Sequence, residues 1–263
     1  IRPWMTAPET ADVLAALTAG GADARFVGGC VRDGILGRPV NDVDIATPEG
    51  PETVTERLED AGIKVVPTGI DHGTVTAIAA HRPFEITTLR EDVETFGRHA
   101  RVAFTDDWRA DAARRDFTMN AMSCRPDGRL FDYFGGWDDL MAGHVRFVGD
   151  AATRIEEDVL RLLRFYRFGA HYGRGAPDPD GRAACRAHVR ALDGLSAERV
   201  RNETLRLLAA PDPAPTLDLM AEDGVLSAYL PEARDARTVG ALAALEAALA
   251  DISAIRRLGA LLG

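Results

Sequence analysis

The chain has 263 residues, long for one compact core and comfortable for two, and 46% hydrophobic with 27% charged residues excludes a wholly disordered or collagen-like polymer. No apolar run approaches the roughly 20 residues a membrane span needs, and three widely separated cysteines, Cys30, Cys124 and Cys185, argue against a disulfide scaffold or zinc site and for a reducing cytoplasm. The net charge of −10 argues against a broad nucleic-acid surface, although the acid is concentrated in residues 1–149 and the stretch 154–206 is locally positive. The chain opens at Ile1 without a signal-peptide layout and reads as a piece of a longer protein.

The first part alternates short helices and strands. An amphipathic helix over 8–19 ends at Gly20-Gly21, and a strand over 24–27 runs into Gly28-Gly29 and a helix over 30–36. Strands are expected at 42–46, 63–66, 74–79 and 84–89, with a helix at 52–61. Residues 91–105 lack a clean period and read as a mobile loop. A helix near 106–113 precedes Arg114-Arg115-Asp116-Phe117-Thr118-Met119-Asn120 and a short strand at 130–133. From residue 150 the strand signals vanish, and helical spacing fills 153–170, 180–191, 196–209, 213–223 and 236–262. The pattern predicts an α+β chain of two domains, 1–149 mixed and 150–263 all-helical.

Phe26-Val27-Gly28-Gly29-Cys30-Val31-Arg32-Asp33 places two glycines at the mouth of a helix, where the backbone can approach an anion and Arg32 can reach it from one turn in. Taken alone, a Gly-Gly pair is usually only a turn. Asp42 and Asp44, spaced by two on a strand, put both carboxylates on one face, with Val43 and Ile45 on the other. Paired bare carboxylates repel unless a cation lies between them, and hard oxygen ligands suit Mg²⁺; taken alone, a solvent-facing pair is the preferred explanation. Glu85, flanked by Phe84 and Ile86, is a third acid on a strand, for which, taken alone, an exposed face is the better account.

Five ordered motifs, G-G-C-V-R-D, D-V-D, F-E-I-T-T-L-R, R-R-D-F-T-M-N-A and E-D-V-L-R-L-L-R-F-Y-R-F, resemble those of the class II CCA-adding tRNA nucleotidyltransferases and the bacterial poly(A) polymerases, within the polymerase-beta-like superfamily. The resemblance covers roughly residues 22–209. It implies a nucleotidyltransferase head followed by an all-α neck and the start of a body, with a further tRNA-binding part outside this chain. It also implies two Mg²⁺ ions on Asp42 and Asp44, with Glu85 as the third catalytic carboxylate. Gly28, Gly29 and Arg32 would hold the triphosphate, Arg115 would lie toward the phosphates, and Asp116 would accept from the ribose 2′-hydroxyl. Asn120 falls in the same nucleotide-binding motif.

Asp158 and Arg161, three apart on one expected helix, would read the base, with Arg164 and Arg167 holding phosphates or primer. A carboxylate accepts and a guanidinium donates, so the pair suits cytosine and adenine and rejects uracil and guanine. A surface ion pair is the plain alternative. Ser196 to Glu203 resembles the last family motif, with Ser196 as N-cap and an Arg199–Glu203 pair at i,i+4 supporting the template helix. The implied activity is transfer from CTP and ATP to the tRNA 3′ end. A poly(A) polymerase, an A-adding enzyme and a non-catalytic RNA-binding module remain as alternatives, and the oligomeric state is not readable.

Overall fold

The computed structural model describes residues 1–96 and 99–263, and the chain divides into two compact units, Ile1–Asp138 and Asp139–Gly263. The division falls inside a helix at Gly136–Ala142, upstream of the 149/150 junction that composition suggests.

In chain order the first unit contains α1 (Pro8–Leu17), β1 (Arg25–Val27), α2 (Gly29–Ile35), β2 (Val43–Thr47), α3 (Pro51–Asp60), β3 (Lys64–Gly69), β4 (Thr74–Ala79), β5 (Arg82–Thr88), β6 (Arg90–Phe96), β7 (His99–Phe104), α4 (Trp108–Ala113), β8 (Ser123–Cys124), β9 (Leu130–Phe131) and the start of α5 (Gly136–Ala142). Seven strands form one mixed sheet in the order β3-β4-β5-β2-β1-β8-β9. Only β2 and β5 pair in parallel, and α3 lies on the crossover between them; the other pairings of this sheet are antiparallel. Prolines at the first helical position start α1 and α3, where a missing N–H costs nothing. The apolar stripes of those helices, Val13, Leu14, Leu17, Val54 and Leu58, are buried, as are the strand residues Phe26, Ile45, Val75, Ala77, Phe84 and Ile86. The Arg25 guanidinium sits 3.8 Å from the ring centres of both Trp108 and Phe131, tying β1 to α4 and the edge strand β9.

The mobile loop expected over 91–105 is corrected: β6 and β7 pair antiparallel as a separate two-stranded ribbon. Gly97 and Arg98 of that stretch lie outside the described residues. A ribbon outside the main sheet has no need of a continuous buried face, so the apolar alternation that reveals other strands is not required of it.

The second unit continues α5 and adds α6 (Ala151–Glu157), α7 (Leu160–Tyr172), α8 (Pro179–Ala187), α9 (Ala197–Leu208), α10 (Ala214–Glu222), α11 (Val225–Tyr229), α12 (Ala236–Leu249) and α13 (Ala254–Leu262). Side-chain N-caps set several of the starts: Asp150, Asp178, Ser196, Asp235 and Ser253 each accept a backbone N–H of the following turn, worth about 1 kcal/mol apiece. Three continuous helical stretches expected from periodicity are broken, the first being 180–191, where α8 ends at Ala187 and a 3₁₀ helix follows over Val189–Gly194. Residues 236–262 divide where Ala250 turns left-handed at φ +51° and Ser253 caps α13. Residues 153–170 divide at Asp158, which is extended at φ −151°.

Buried polar ties join these helices. The Tyr166 hydroxyl donates to Asp223 at 2.9 Å, and Arg182 pairs with the same carboxylate at 2.8 Å, linking α7, α8 and the end of α10. Arg257, fully buried, pairs with Glu246 at 2.7 Å and donates to the carbonyl of Leu208, linking α13, α12 and α9.

Candidate nucleotide site

In the first unit the site is built around the exit of β1. Gly28 stands at φ +68° and ψ −127°, a conformation that disfavours any Cβ. A Cβ there would also lie 3.1 Å from the Arg115 guanidinium, so the backbone favours glycine and a side chain would press on the arginine. Gly29 opens α2 with the Arg32 guanidinium beside it, 3.6 Å from an added Cβ. Cys30 is buried under the turn, its thiol donating to the Val27 carbonyl at 3.2 Å and pushed up to about 12 chiefly by burial, which leaves it no nucleophilic role.

Arg32 is held from two sides. It forms a two-point pair with Asp33 at 2.7 and 3.0 Å, and its Nη1 donates to Asn120 Oδ1 at 2.6 Å. Asn120 Nδ2 donates in turn to Asp116 Oδ1 at 2.9 Å, and the same oxygen accepts the Phe117 amide at 2.8 Å. Arg32, Asp116 and Asn120 are all buried, while Phe117 and Met122 lie in the core as their apolar character predicts. Residues from α2 and from the motif 114–120 are thereby brought together across more than eighty positions of sequence.

Arg115 completes this group. Its Nη2 donates to Asp111 Oδ2 at 3.1 Å, while Arg114 pairs with Oδ1 of the same buried carboxylate at 2.8 Å. Asp111 was not singled out from sequence, although arginines three and four positions after an acid on a helix are a readable signal.

Asp44 on β2 stands directly opposite Glu85 on β5 in the parallel pairing, so both side chains leave the sheet on one face. The Asp44 carboxyl is pushed up to about 6, first by burial and then by the charges of Glu85 and Asp42, with Arg115 acting against them. Asp42 lies just before β2 and is exposed, rather than being the strand residue its spacing suggested. Among the described residues no three His, Cys, Asp or Glu side chains close around a common metal position. The donor set nonetheless fits a hard divalent cation: a half-buried carboxylate crowded by two others is relieved by positive charge, and Mg²⁺ needs only one or two protein carboxylates beside water and substrate phosphate.

The residues expected to read the base, Asp158 and Arg161, lie in the second unit, and their geometry corrects the expected helix. Asp158 is not three residues along one helix from Arg161; it is the extended link between α6 and α7, its Oδ1 accepting the Leu160 amide at 3.1 Å and its carbonyl the Arg161 amide at 2.9 Å. Asp158 Oδ2 pairs with Arg199 at 2.7 Å. Arg161 donates to Glu157 and to the Arg154 carbonyl, and Glu157 also pairs with Arg154. The expected Arg199–Glu203 pair is likewise replaced. Arg199 reaches back to Asp158, whereas the buried Glu203 takes Arg167 at 2.5 Å and Arg164 at 3.9 Å. Ser196 caps α9 as expected, accepting from the Arg199 amide at 3.4 Å.

Comparison with known proteins follows the same division. Residues 24–146 match the family described as Poly A polymerase head domain, and residues 176–237 match that described as Probable RNA and SrmB- binding site of polymerase A. The chain is 44% identical to CCA tRNA nucleotidyltransferase 1, mitochondrial, of Danio rerio over 209 residues, which are 77% of this chain and 48% of that protein. It is similar to the crystal structure of the Bacillus stearothermophilus CCA-adding enzyme in complex with CTP, with a TM-score of 0.78 and 38% identity over 88% of this chain and 55% of that one. A structure of a tRNA nucleotidyltransferase complexed with a primer tRNA and an incoming ATP analog gives a TM-score of 0.73 at 26% identity, covering 90% of this chain and 68% of that one. The chain spans about half the length of the curated relatives it matches. No described helix is long and apolar enough to cross a membrane.

Proposed function

The chain belongs to the family of the poly A polymerase head domain and the CCA-adding enzymes, and on that premise we propose that the protein it represents transfers C and A from CTP and ATP to the 3′ end of tRNA. The observation that supports the chemistry is the Arg115 guanidinium lying against the Gly28 turn in the same unit that sets Asp44 opposite Glu85 on one face of the sheet. In this reading cations that hold phosphate and acids that hold metal act on one nucleotide, as phosphoryl transfer requires.

In this reading the Gly28-Gly29 backbone lets the triphosphate approach closely, and Arg32 and Arg115 neutralise its charge. Asp116 accepts from the ribose 2′-hydroxyl and so selects ribonucleotides. Mg²⁺ held by Asp42 and Asp44 would supply Lewis-acid polarisation of the phosphate and the attacking hydroxyl. Glu85, opposite Asp44, adds the negative potential that keeps a cation there. Asp158 accepts from the exocyclic amine shared by cytosine and adenine, and Arg161 donates to the adjacent ring nitrogen; uracil and guanine present the reverse polarity to both. Arg164 and Arg167, gathered by Glu203, form a positive stripe on α7 suited to phosphates or primer.

The decisive experiment supplies the full-length protein with tRNA lacking one, two or three terminal nucleotides, with CTP and ATP separately and together. Regeneration of a full CCA end from every substrate is the expected outcome. Growth by A alone, or open-ended tailing, would assign the protein to the A-adding or poly(A) branch instead. No transfer of any kind would leave it a binding module.

A further inference from the structure

We propose that Asn120 is a positioning residue that couples the triphosphate-holding Arg32 to the ribose-reading Asp116; the proposal rests on the reading of this unit as a nucleotidyltransferase head. Its carboxamide bridges a cation and an anion, accepting from Arg32 Nη1 at 2.6 Å and donating to Asp116 Oδ1 at 2.9 Å. The bridge is built for that polarity. A carboxylate at this position keeps an acceptor for Arg32 but turns a like charge toward Asp116, and an aliphatic side chain removes one contact from each of the two buried charges.

The backbone beneath the amide is fixed as well. Asn120 N donates to the Phe117 carbonyl at 2.9 Å within a single 3₁₀ turn, Thr118–Asn120. That turn is pressed by Gly136, where a Cβ would lie 2.1 Å from the Thr118 carbonyl oxygen. Arg32, Asn120 and Asp116 are each less than a tenth exposed, so solvent does not substitute for a lost contact. The amide therefore sets the distance between the group that holds phosphate and the group that reads the sugar. Its loss is expected to loosen sugar discrimination as well as triphosphate affinity, which distinguishes coupling from a general loss of structure.

The test compares the full-length parent with Asn120→Leu and Asn120→Asp. The dissociation constants for CTP and dCTP are measured with Mg²⁺, thermal melts report folding, and transfer to tRNA is followed separately. Asn120→Leu is expected to weaken CTP binding and to lower the CTP-over-dCTP preference by about tenfold. Asn120→Asp, which keeps the acceptor for Arg32, is expected to lose the sugar preference while holding CTP affinity closer to the parental value. If Asn120→Leu does not fold, Asn120→Asp decides alone. A parental CTP-over-dCTP ratio in a folded Asn120→Asp overturns the coupling, as does a parent with no such preference. A parent that prefers CTP but transfers nothing to tRNA overturns the transferase reading, and the binding ratio still decides the coupling.

Discussion

The buried carboxylate of Asp111 holds the guanidinium of Arg115 at 3.1 Å, and that guanidinium is the group a side chain at Gly28 would strike. Asp111 therefore orders the guanidinium that lies against the Gly28 turn. Burial works to raise its carboxyl, but Arg115 and Arg114 outweigh burial and hold it below the usual carboxylate value. Asp111→Asn is expected to cost about 3 kcal/mol, the lower end for breaking a buried pair, because both arginine heads keep some access to water. A carboxyl depressed in the folded state contributes stability above its unfolded value near 4 and loses it as pH falls through the folded one. The melting-temperature gap between parent and Asp111→Asn should thus be constant from pH 8 to 5 and close at more acid pH. A gap that is small at neutral pH, or that widens on acidification, would refute this role.

Asp44 carries the opposite balance. It stands opposite Glu85, both Glu85 and Asp42 raise its carboxyl, and among the described residues no ion pair to it is seen, so the bare site is electrostatically strained. Asp44→Asn is expected to reduce nucleotide transfer by at least about a thousandfold, as removal of a principal metal ligand does, while leaving the melting temperature in a chelator-treated sample equal to or above that of the parent. Transfer assays and calorimetry on the same preparation check both halves. Retained turnover, or a large drop in melting temperature, would count against Asp44 as a functional acid.

These residues differ in how readily sequence reveals them. Asp44 and Glu85 stand out because each interrupts an apolar alternation whose other members, Val43 with Ile45 and Phe84 with Ile86, are buried. Gly28 is visible only through the motif around it, because a strand running into a glycine pair is by itself an ordinary turn. Asp158 is different. Periodicity carries a helix straight through it, and the break depends on its side chain accepting the Leu160 amide and on Arg199, forty-one residues later, closing on the carboxylate. A contact of that range leaves no local pattern. The β6–β7 ribbon was hidden for a separate reason, since strands that pair only with each other need not alternate.

The Arg199–Asp158 pair makes the next expectation specific. Both side chains are more than a quarter exposed, so the 2.7 Å contact adds less than about 1 kcal/mol to stability. Its proposed value lies in aiming the Asp158 carboxylate. Arg199→Ala should fold normally and bind CTP with near-parental affinity, yet incorporate UTP and GTP detectably where the parent does not. Sequencing of extended tRNA ends in the presence of all four triphosphates reads this directly. Unchanged exclusion of UTP and GTP would remove Arg199 from base selection.

The β4–β5 hairpin offers a prediction independent of the site. Ala79 pairs with Arg82, leaving a two-residue turn in which Ala80 and His81 both take positive φ, +47° and +64°. This is the conformation Asn-Gly adopts without strain, whereas a Cβ in the left-handed region costs roughly 1–2 kcal/mol per residue. His81→Gly removes the clash but adds chain entropy to the unfolded state, so a net gain of about 1 kcal/mol is expected. Ala80→Asn adds a smaller gain, because asparagine tolerates this region better than alanine. Neither residue belongs to the proposed nucleotide machinery, so KM and kcat should remain parental while the melting temperature rises by a few degrees. A double variant that melts at or below the parent would mean that the turn is stabilised by contacts of Ala80 or His81 that outweigh their backbone strain.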